Sequence, residues 1–268
     1  MKSAALREWV PSWKAVWAKS WYLPASAVLD IAFFFLYGLM TAPLFSRLSD
    51  HVVAIGALVA RQMQADAGRA RPAVVDALFQ PPASQYVWQF IGLLLLLAMV
   101  LFFLFCTIQG LAWWIAAIAS GWKMHWRKFL TGFARINLLW AGLYFVWVCI
   151  GTLLEVRSIA IEKIMGQPAA GAGIVHAVLI GIIAYFALAS YPLLSIKKGF
   201  VTGVRKILVL ATAGAIIALQ LVAGNFLMGK LSLMSAKLSF IISAITLLVL
   251  VGWSRAYATR VVRRAADV

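Results

Sequence analysis

Hydrophobic and polar positions alternate along this chain in a simple way: long apolar runs, broken by short clusters of charge. A hydrocarbon core about 30 Å thick takes roughly 20 helical residues to cross. Runs of that order occupy Leu23 to Phe45, Tyr86 to Ala112, Phe133 to Leu154, Ile174 to Leu194, Ile207 to Met228 and Leu233 to Trp253. Each predicts a membrane-spanning helix. The second run stays apolar to Ala119, about 51 Å of helix. Its end is therefore expected to bend along the surface after Trp113 and Trp114. Those tryptophans, with Tyr86 and Trp88 at the other end, are placed as interfacial belts. The break between the last two runs, near Gly229 and Lys230, is short enough to predict a helical hairpin.

Composition agrees with that pattern. The chain is 64% hydrophobic and 12% charged, with a mean hydropathy of +0.95. A soluble domain has about twice that share of charge and could not bury so much apolar surface. Soluble enzyme, disordered tail and disulfide-rich module are excluded. The expected fold class is an all-α polytopic membrane protein of about six spans, one integral domain over 1–268. Residues 1–22 would form an interfacial helix, 46–85 an extracytoplasmic loop and 255–268 a basic cytoplasmic tail. In the long loop, Val52, Val53, Ile55, Leu58 and Val59 are apolar enough to extend the first helix or lie on the surface. The first run is too long for a cleavable signal core and follows a tryptophan-rich segment, so a cleaved leader is not expected.

Net charge sharpens the topology. Lys and Arg outnumber Asp and Glu by 24 to 8, and such charge belongs at membrane edges. Sixteen of the basic residues flank the spans on the side of the termini and eight on the other side, where five of the acids also fall. By the positive-inside rule both termini face the cytoplasm of a cell (inner) membrane.

Three inner segments share a pattern. Trp13-Lys14-Ala15-Val16-Trp17, Trp122-Lys123-Met124-His125-Trp126 and Ile196-Lys197-Lys198-Gly199-Phe200 each place a bulky apolar residue, a Lys and an aromatic at i, i+1 and i+4. In a helix, i and i+4 share a face, which could press into the headgroups while Lys stays wet. Trp9, Trp13, Trp17 and Trp21 continue that stripe. The candidate lipid-interface residues are these four with Lys14, Trp122, Lys123, Trp126, Lys197, Lys198 and Phe200. One architecture that follows is three repeats of a basic interfacial helix and two spans; the alternative is ordinary enrichment of Lys and Trp at an inner surface. Nucleic-acid binding fits poorly, because the charge is dispersed among membrane-anchoring tryptophans.

Two of these segments carry a family resemblance: Trp126-Arg127-Lys128-Phe129-Leu130-Thr131-Gly132-Phe133 and Lys197-Lys198-Gly199-Phe200-Val201-Thr202-Gly203-Val204-Arg205-Lys206. With its six-span layout, the chain resembles the bacterial and archaeal membrane domain found beside glycerophosphoryl diester phosphodiesterases, and related integral membrane families. The resemblance implies a six-span fold. It implies no phosphodiesterase activity, since the catalytic domain is not in this sequence.

Candidate chemistry is sparse. Asp30 is the acid inside a predicted span, about 10 Å along its helix, and an intramembrane carboxylate is a functional hypothesis by default. Ser26, Asp30, Tyr37 and Thr41 give the first helix one polar face, and Arg135 is the expected partner of Asp30. That pair would tie helices together, or else serve proton or ion movement. Asn137, Trp140, Tyr144 and Trp147 share a face of the third span and could line a pocket for an amphiphile, or simply pack. Ser239, Ser243 and Thr246, and Gly214, Gln220 and Gly224, read as interhelical seams. Cys106 and Cys149 suggest neither disulfide nor metal site, and His51, His125 and His176 are too dispersed to share a metal. Motifs of membrane metalloproteases, serine hydrolases, phosphate loops and redox dithiols are missing. The expectation is a non-catalytic scaffold or accessory subunit without cofactor or metal. Its partners would be anionic inner-leaflet lipid and other membrane proteins, not nucleic acid. The alternative is a small transporter or lipid-handling protein using the seam around Asp30.

Overall fold

The computed structural model describes residues 4–65, 78–165, 173–232 and 236–267. Every regular element among them is helical: α1 (Ala4–Ala18), α2 (Tyr22–Ala65), α3 (Ala83–Leu104), a π-turn (Phe105–Gln109), α4 (Gly110–Ala119), α5 (Trp126–Met165), α6 (Gly173–Ser190), a 3₁₀ turn (Tyr191–Leu193), α7 (Ile196–Arg205), α8 (Ile207–Ser232) and α9 (Ala236–Ala266). Five stretches are long and apolar enough to cross a membrane: Tyr22–Gln62, Ala83–Ala119, Trp126–Gly151, Ile207–Phe226 and Phe240–Ala266. The bent pair Val178–Leu193 and Ile196–Arg205 makes a sixth. In the most apolar of them, mean hydropathy is 3.0 and only 22% of the window is buried. Water cannot cover the remainder, so lipid does. The chain is an all-α polytopic membrane protein, as its apolar runs predicted.

Two compact units form. One comprises Met1–Phe34, Leu104–Trp140 and Ile183–Val268. Its core sets Tyr22, Ile115, Ala116, Trp253, Ala256, Tyr257 and Val261 together, beside a second cluster of Trp113, Phe129, Phe133, Trp140 and Tyr191. The other unit, Phe35–Phe103 and Ala141–Ile182, buries Leu48, Leu94 and Leu97 against Phe90, Phe145 and Val148.

Several boundaries differ from the sequence expectation. The 46–85 segment is not all loop: α2 continues through it to Ala65, because Ile55 and Val59 are buried against Leu78, Val87 and Phe90. Residues 66–77 of that segment lie outside the described residues. The long second run does not turn along a surface after Trp113 and Trp114. It stays helical to Ala119, with Trp113 in the core and Trp114 donating its indole N–H to the Met124 carbonyl. Nor is the expected basic tail, 255–268, separate from the last span: α9 runs to Ala266, with Ala256, Tyr257, Val261 and Val262 buried, and Val268 lies outside the described residues.

α1 packs along this last part of α9. Its buried stripe, Ala5, Glu8, Ser12 and Val16, follows the i, i+3/i+4 spacing of one helix face. Trp13 stacks on Trp253 at 5.0 Å, Ser12 Oγ accepts from Trp253 Nε1 at 3.0 Å, and Tyr257 donates to the Ala5 carbonyl. Arg260 and Arg264 both donate to the Glu8 carboxylate.

The bend after α6 has local causes. Pro192 cannot continue the ladder, Leu194 adopts a left-handed φ of 47°, and Ser195 caps α7 by accepting from the Lys198 N–H. The two helices meet at 118°. Gly199 and Gly203 allow the contact: a Cβ on Gly199 would lie 2.6 Å from Ser190 Cα, and one on Gly203 would lie 2.9 Å from Phe186.

Two predictions follow from this packing. Gly199→Val should lower stability by about 1–3 kcal/mol, the usual cost of overpacking. Gly142→Ala, where no atom lies within 4 Å of the added carbon, should not lower it; thermal unfolding in mild detergent reads both. The second concerns pH. Burial alone would raise the Glu8 carboxyl, but hydrogen bonds and charge from Arg260 and Arg264 outweigh it and hold the group below its ordinary 4.5. Stability from this contact is full above about pH 4.5 and fades as pH falls through the lowered native value. Glu8→Gln should be less stable than the parent at pH 7, and the two should converge in acid.

Candidate functional site

The first unit contains a polar cluster inside otherwise apolar helices. Ser26 and Asp30, one turn apart on α2, point to the same side as Arg255 of α9. Arg255 meets the carboxylate with both ends of its fork, Nη2 to Oδ1 at 2.5 Å and Nη1 to Oδ2 at 2.8 Å. Nη1 also donates to Ser26 Oγ at 3.2 Å, and Nη2 to Gln109 Oε1 at 2.7 Å. Gln109 Nε2 donates in turn to Asp30 Oδ1 at 3.3 Å. Asp30 is 1% exposed and Arg255 8%. A bidentate pair with its remaining valences filled by amide and hydroxyl is the arrangement that makes a buried ion pair tolerable.

Backbone geometry delivers the third partner. Gln109 ends the π-turn, whose extra residue rotates the helix face that follows it. Gly110 comes next because a Cβ there would lie 2.7 Å from Leu130 Cδ2. One turn before Ser26, Tyr22 is buried and donates to the Gly252 carbonyl at 2.7 Å. Gly252 lets α2 approach, since a Cβ would lie 3.2 Å from Ser26 Oγ.

The expected partner Arg135 is a correction. It is exposed on α5, where the neighbouring Ile136 and Asn137 take the buried positions, and Arg255 fills its predicted role. Sequence reasoning assigned Arg255 to a cytoplasmic tail because the apolar run ends at Trp253. The readable signal was the helical pattern continuing through Tyr257, Val261 and Val262. Gln109 was missed within an apolar run, although an amide at membrane depth is itself a signal.

The Asn137, Trp140, Tyr144, Trp147 stripe does not form one site in either unit. Asn137 and Trp140 belong to the first unit and are used in packing. Asn137 accepts from Tyr191 at 2.8 Å and donates to the Phe133 carbonyl, and Trp140 stacks on Phe186. Tyr144, exposed, and Trp147, half-buried, lie in the second unit. Ser26 and Asp30 likewise fall in the first unit, Tyr37 and Thr41 in the second. In the α8–α9 seam, a Cβ on Gly224 would lie 3.1 Å from Leu250, whereas one on Gly214 would meet nothing within 4 Å.

Of the aromatic-basic segments, the first and third are helices and the second is not: Trp122 to His125 is a loop leading into α5. Trp9, Trp17, Trp21 and Lys14 are exposed, while Trp13 turns inward onto Trp253. Trp126 is exposed beside Lys123, and Trp122 lies beneath Arg263. Lys197, Lys198 and Phe200 are exposed on α7, with the Phe200 ring also stacked on Phe186. His51 contacts Gln89 in the second unit, His125 stacks on Trp126, and the His176 side chain lies outside the described residues. Cys106 and Cys149 are free thiols.

The cluster makes a direct prediction. Asp30→Asn or Arg255→Gln leaves a buried charge uncompensated, and each should destabilise the protein by about 3–5 kcal/mol. The apolar double replacement Asp30→Leu with Arg255→Met should recover most of that loss in thermal unfolding. Arg135→Gln should change stability little.

Comparisons with family models, curated proteins and solved structures find no match, so the functional reading rests on this cluster and on the charged faces around it.

Proposed function

We propose that the protein is a non-catalytic component of a cell membrane, a scaffold or accessory subunit that binds anionic lipid and other membrane proteins. One observation carries this reading: the intramembrane acid Asp30 is enclosed and engaged by Arg255 and Gln109, and Ser26 accepts from the same arginine. A carboxylate so held is suited to fixing helices rather than to carrying a proton or ion. The charge left for recognition is then the basic excess. Within the ranges of the first unit lie eighteen Lys and Arg against three acids, and two of those acids, Glu8 and Asp30, are already paired with arginines. Exposed Lys14, Lys123, Lys197 and Lys198, with tryptophans beside the first two, suit an anionic inner leaflet. In this reading both termini are cytoplasmic.

A second reading, a small transporter or lipid-handling protein, draws on the π-turn at Phe105–Gln109, since such turns recur at functional sites. It requires the Asp30–Arg255 pair to open during a cycle.

The test joins topology to lipid binding. Single cysteines at Ser3→Cys and Val268→Cys should be protected from an impermeant reagent in intact cells, with Ala70→Cys reactive. Charge reversal of Lys14, Lys123 and Lys197 to Glu should lower anionic-lipid retention or scramble the topology, each lysine contributing on the order of 1 kcal/mol. External labelling of either terminus rejects the orientation, and unchanged lipid retention and topology reject the lipid role.

A further inference from the structure

We propose that the Trp122–His125 loop, the first turn of α5 and Arg263 form a binding site for the phosphate of an anionic phospholipid. The inference rests on the lipid-binding reading above and specifies the site and the headgroup chemistry.

Two guanidinium groups lie over indole rings there. Arg263 lies 4.1 Å from the Trp122 ring centre and Arg127 lies 5.3 Å from that of Trp126. Neither meets a carboxylate among the described residues. An indole covers one face of a guanidinium and leaves its N–H edge free, and that edge matches two oxygens of a phosphate. Trp126 is four positions on from Trp122, so their Cα atoms are at most about 14 Å apart, and the two pairs stand at the two ends of one short loop.

The platform is rigid before any ligand arrives. Trp122 donates its backbone N–H to the Ala117 carbonyl at 2.9 Å, and the Trp114 indole holds the Met124 carbonyl at 2.9 Å. Trp122 meets Phe129 edge-on at 5.9 Å, and Phe129 is itself buried. A site fixed in this way loses little entropy on binding. Exposed Lys123 and Lys128 add charge. The first turn of α5 contains no acid; His125 accepts from the Arg127 N–H through Nδ1 at 3.4 Å and from the Phe129 N–H through its carbonyl at 3.1 Å, and the positive helix end adds to the local potential for an anion. Exposed Trp126 gives the site an apolar edge, which fits a lipid headgroup better than a free phosphate.

The experiment uses the full chain purified into nanodiscs of phosphatidylcholine with a fixed fraction of phosphatidylglycerol, and native mass spectrometry of co-purified lipid. Arg263→Gln and Trp122→Leu should each retain about fivefold less phosphatidylglycerol, the scale of one lost cation contact. Arg263→Lys should also fall, because a point charge lacks the fork. Arg205→Gln, an exposed basic change on α7 outside this site, should fall by less than about twofold. Retention by Arg263→Gln equal to that of Arg205→Gln overturns the site while leaving general lipid binding intact. Loss of the phosphatidylglycerol preference in the parent chain rejects the lipid reading itself, and the site with it. Displacement of the lipid by glycerol phosphate at millimolar concentration would assign the site to a soluble phosphate and overturn the lipid proposal.

Discussion

An ionised carboxylate inside an apolar bundle dictates what its neighbours must be. Desolvating such an ion costs several kcal/mol, and one well-aligned counter-ion repays this only if the remaining lone pairs and N–H groups are also met. Asp30 and Arg255 satisfy that condition through a bidentate contact, the Gln109 amide and the Ser26 hydroxyl. Such an arrangement permits one register. Sliding α2 by a residue would carry Asp30 away from the guanidinium by about a 100° rotation of its face. The Tyr22 hydrogen bond to the Gly252 carbonyl fixes the same two helices one turn away. Glycine at 252 is what lets them come close enough for the short aspartate side chain to reach.

The α1 contact builds on that pair. α9 is already anchored to α2 through Arg255 when its next turns meet α1 through Trp253, Tyr257, Arg260 and Arg264. Trp13 is consumed by stacking on Trp253, whereas Trp9 and Trp17 stay exposed. At about 40° of drift per four residues Trp13 lies between the other two around α1, so spacing could not single it out; its partner on α9 does.

What was legible in the sequence followed from solvent, and what was not followed from partners. Apolar runs fixed the helical spanning class because lipid demands a minimum length of apolar surface. Asp30 was legible as a site because no lone carboxylate belongs at that depth. Its partner was not, since Arg135 and Arg255 both flank spans and only the fold decides which side chain faces inward. The end of α9 was misread for a related reason. Arg255 closed the apolar run, yet a paired arginine does not end a helix, and Tyr257, Val261 and Val262 carry the buried stripe onward. The π-turn had no legible signature, because nothing in the run from Phe105 to Gly110 distinguishes an i+5 turn from an α-helix carrying one glycine.

The four arginines near the end of α9 show how one helix distributes charge. At about 100° per residue, Arg263, Arg260 and Arg264 are displaced from Arg255 by about 80°, 140° and 180°. Their partners follow that order around the helix: Asp30 for Arg255, the Trp122 ring for Arg263, and Glu8 for both Arg260 and Arg264. The first is neutralised in the core and the last two against a single carboxylate. Arg263 is the one whose described partner carries no charge. An arginine resting on an indole retains its full positive charge and most of its donors. The same turns that lock the bundle therefore leave one oriented cation free for an anion, next to Lys123 of the loop and Arg127 and Lys128 of α5, which meet no carboxylate among the described residues.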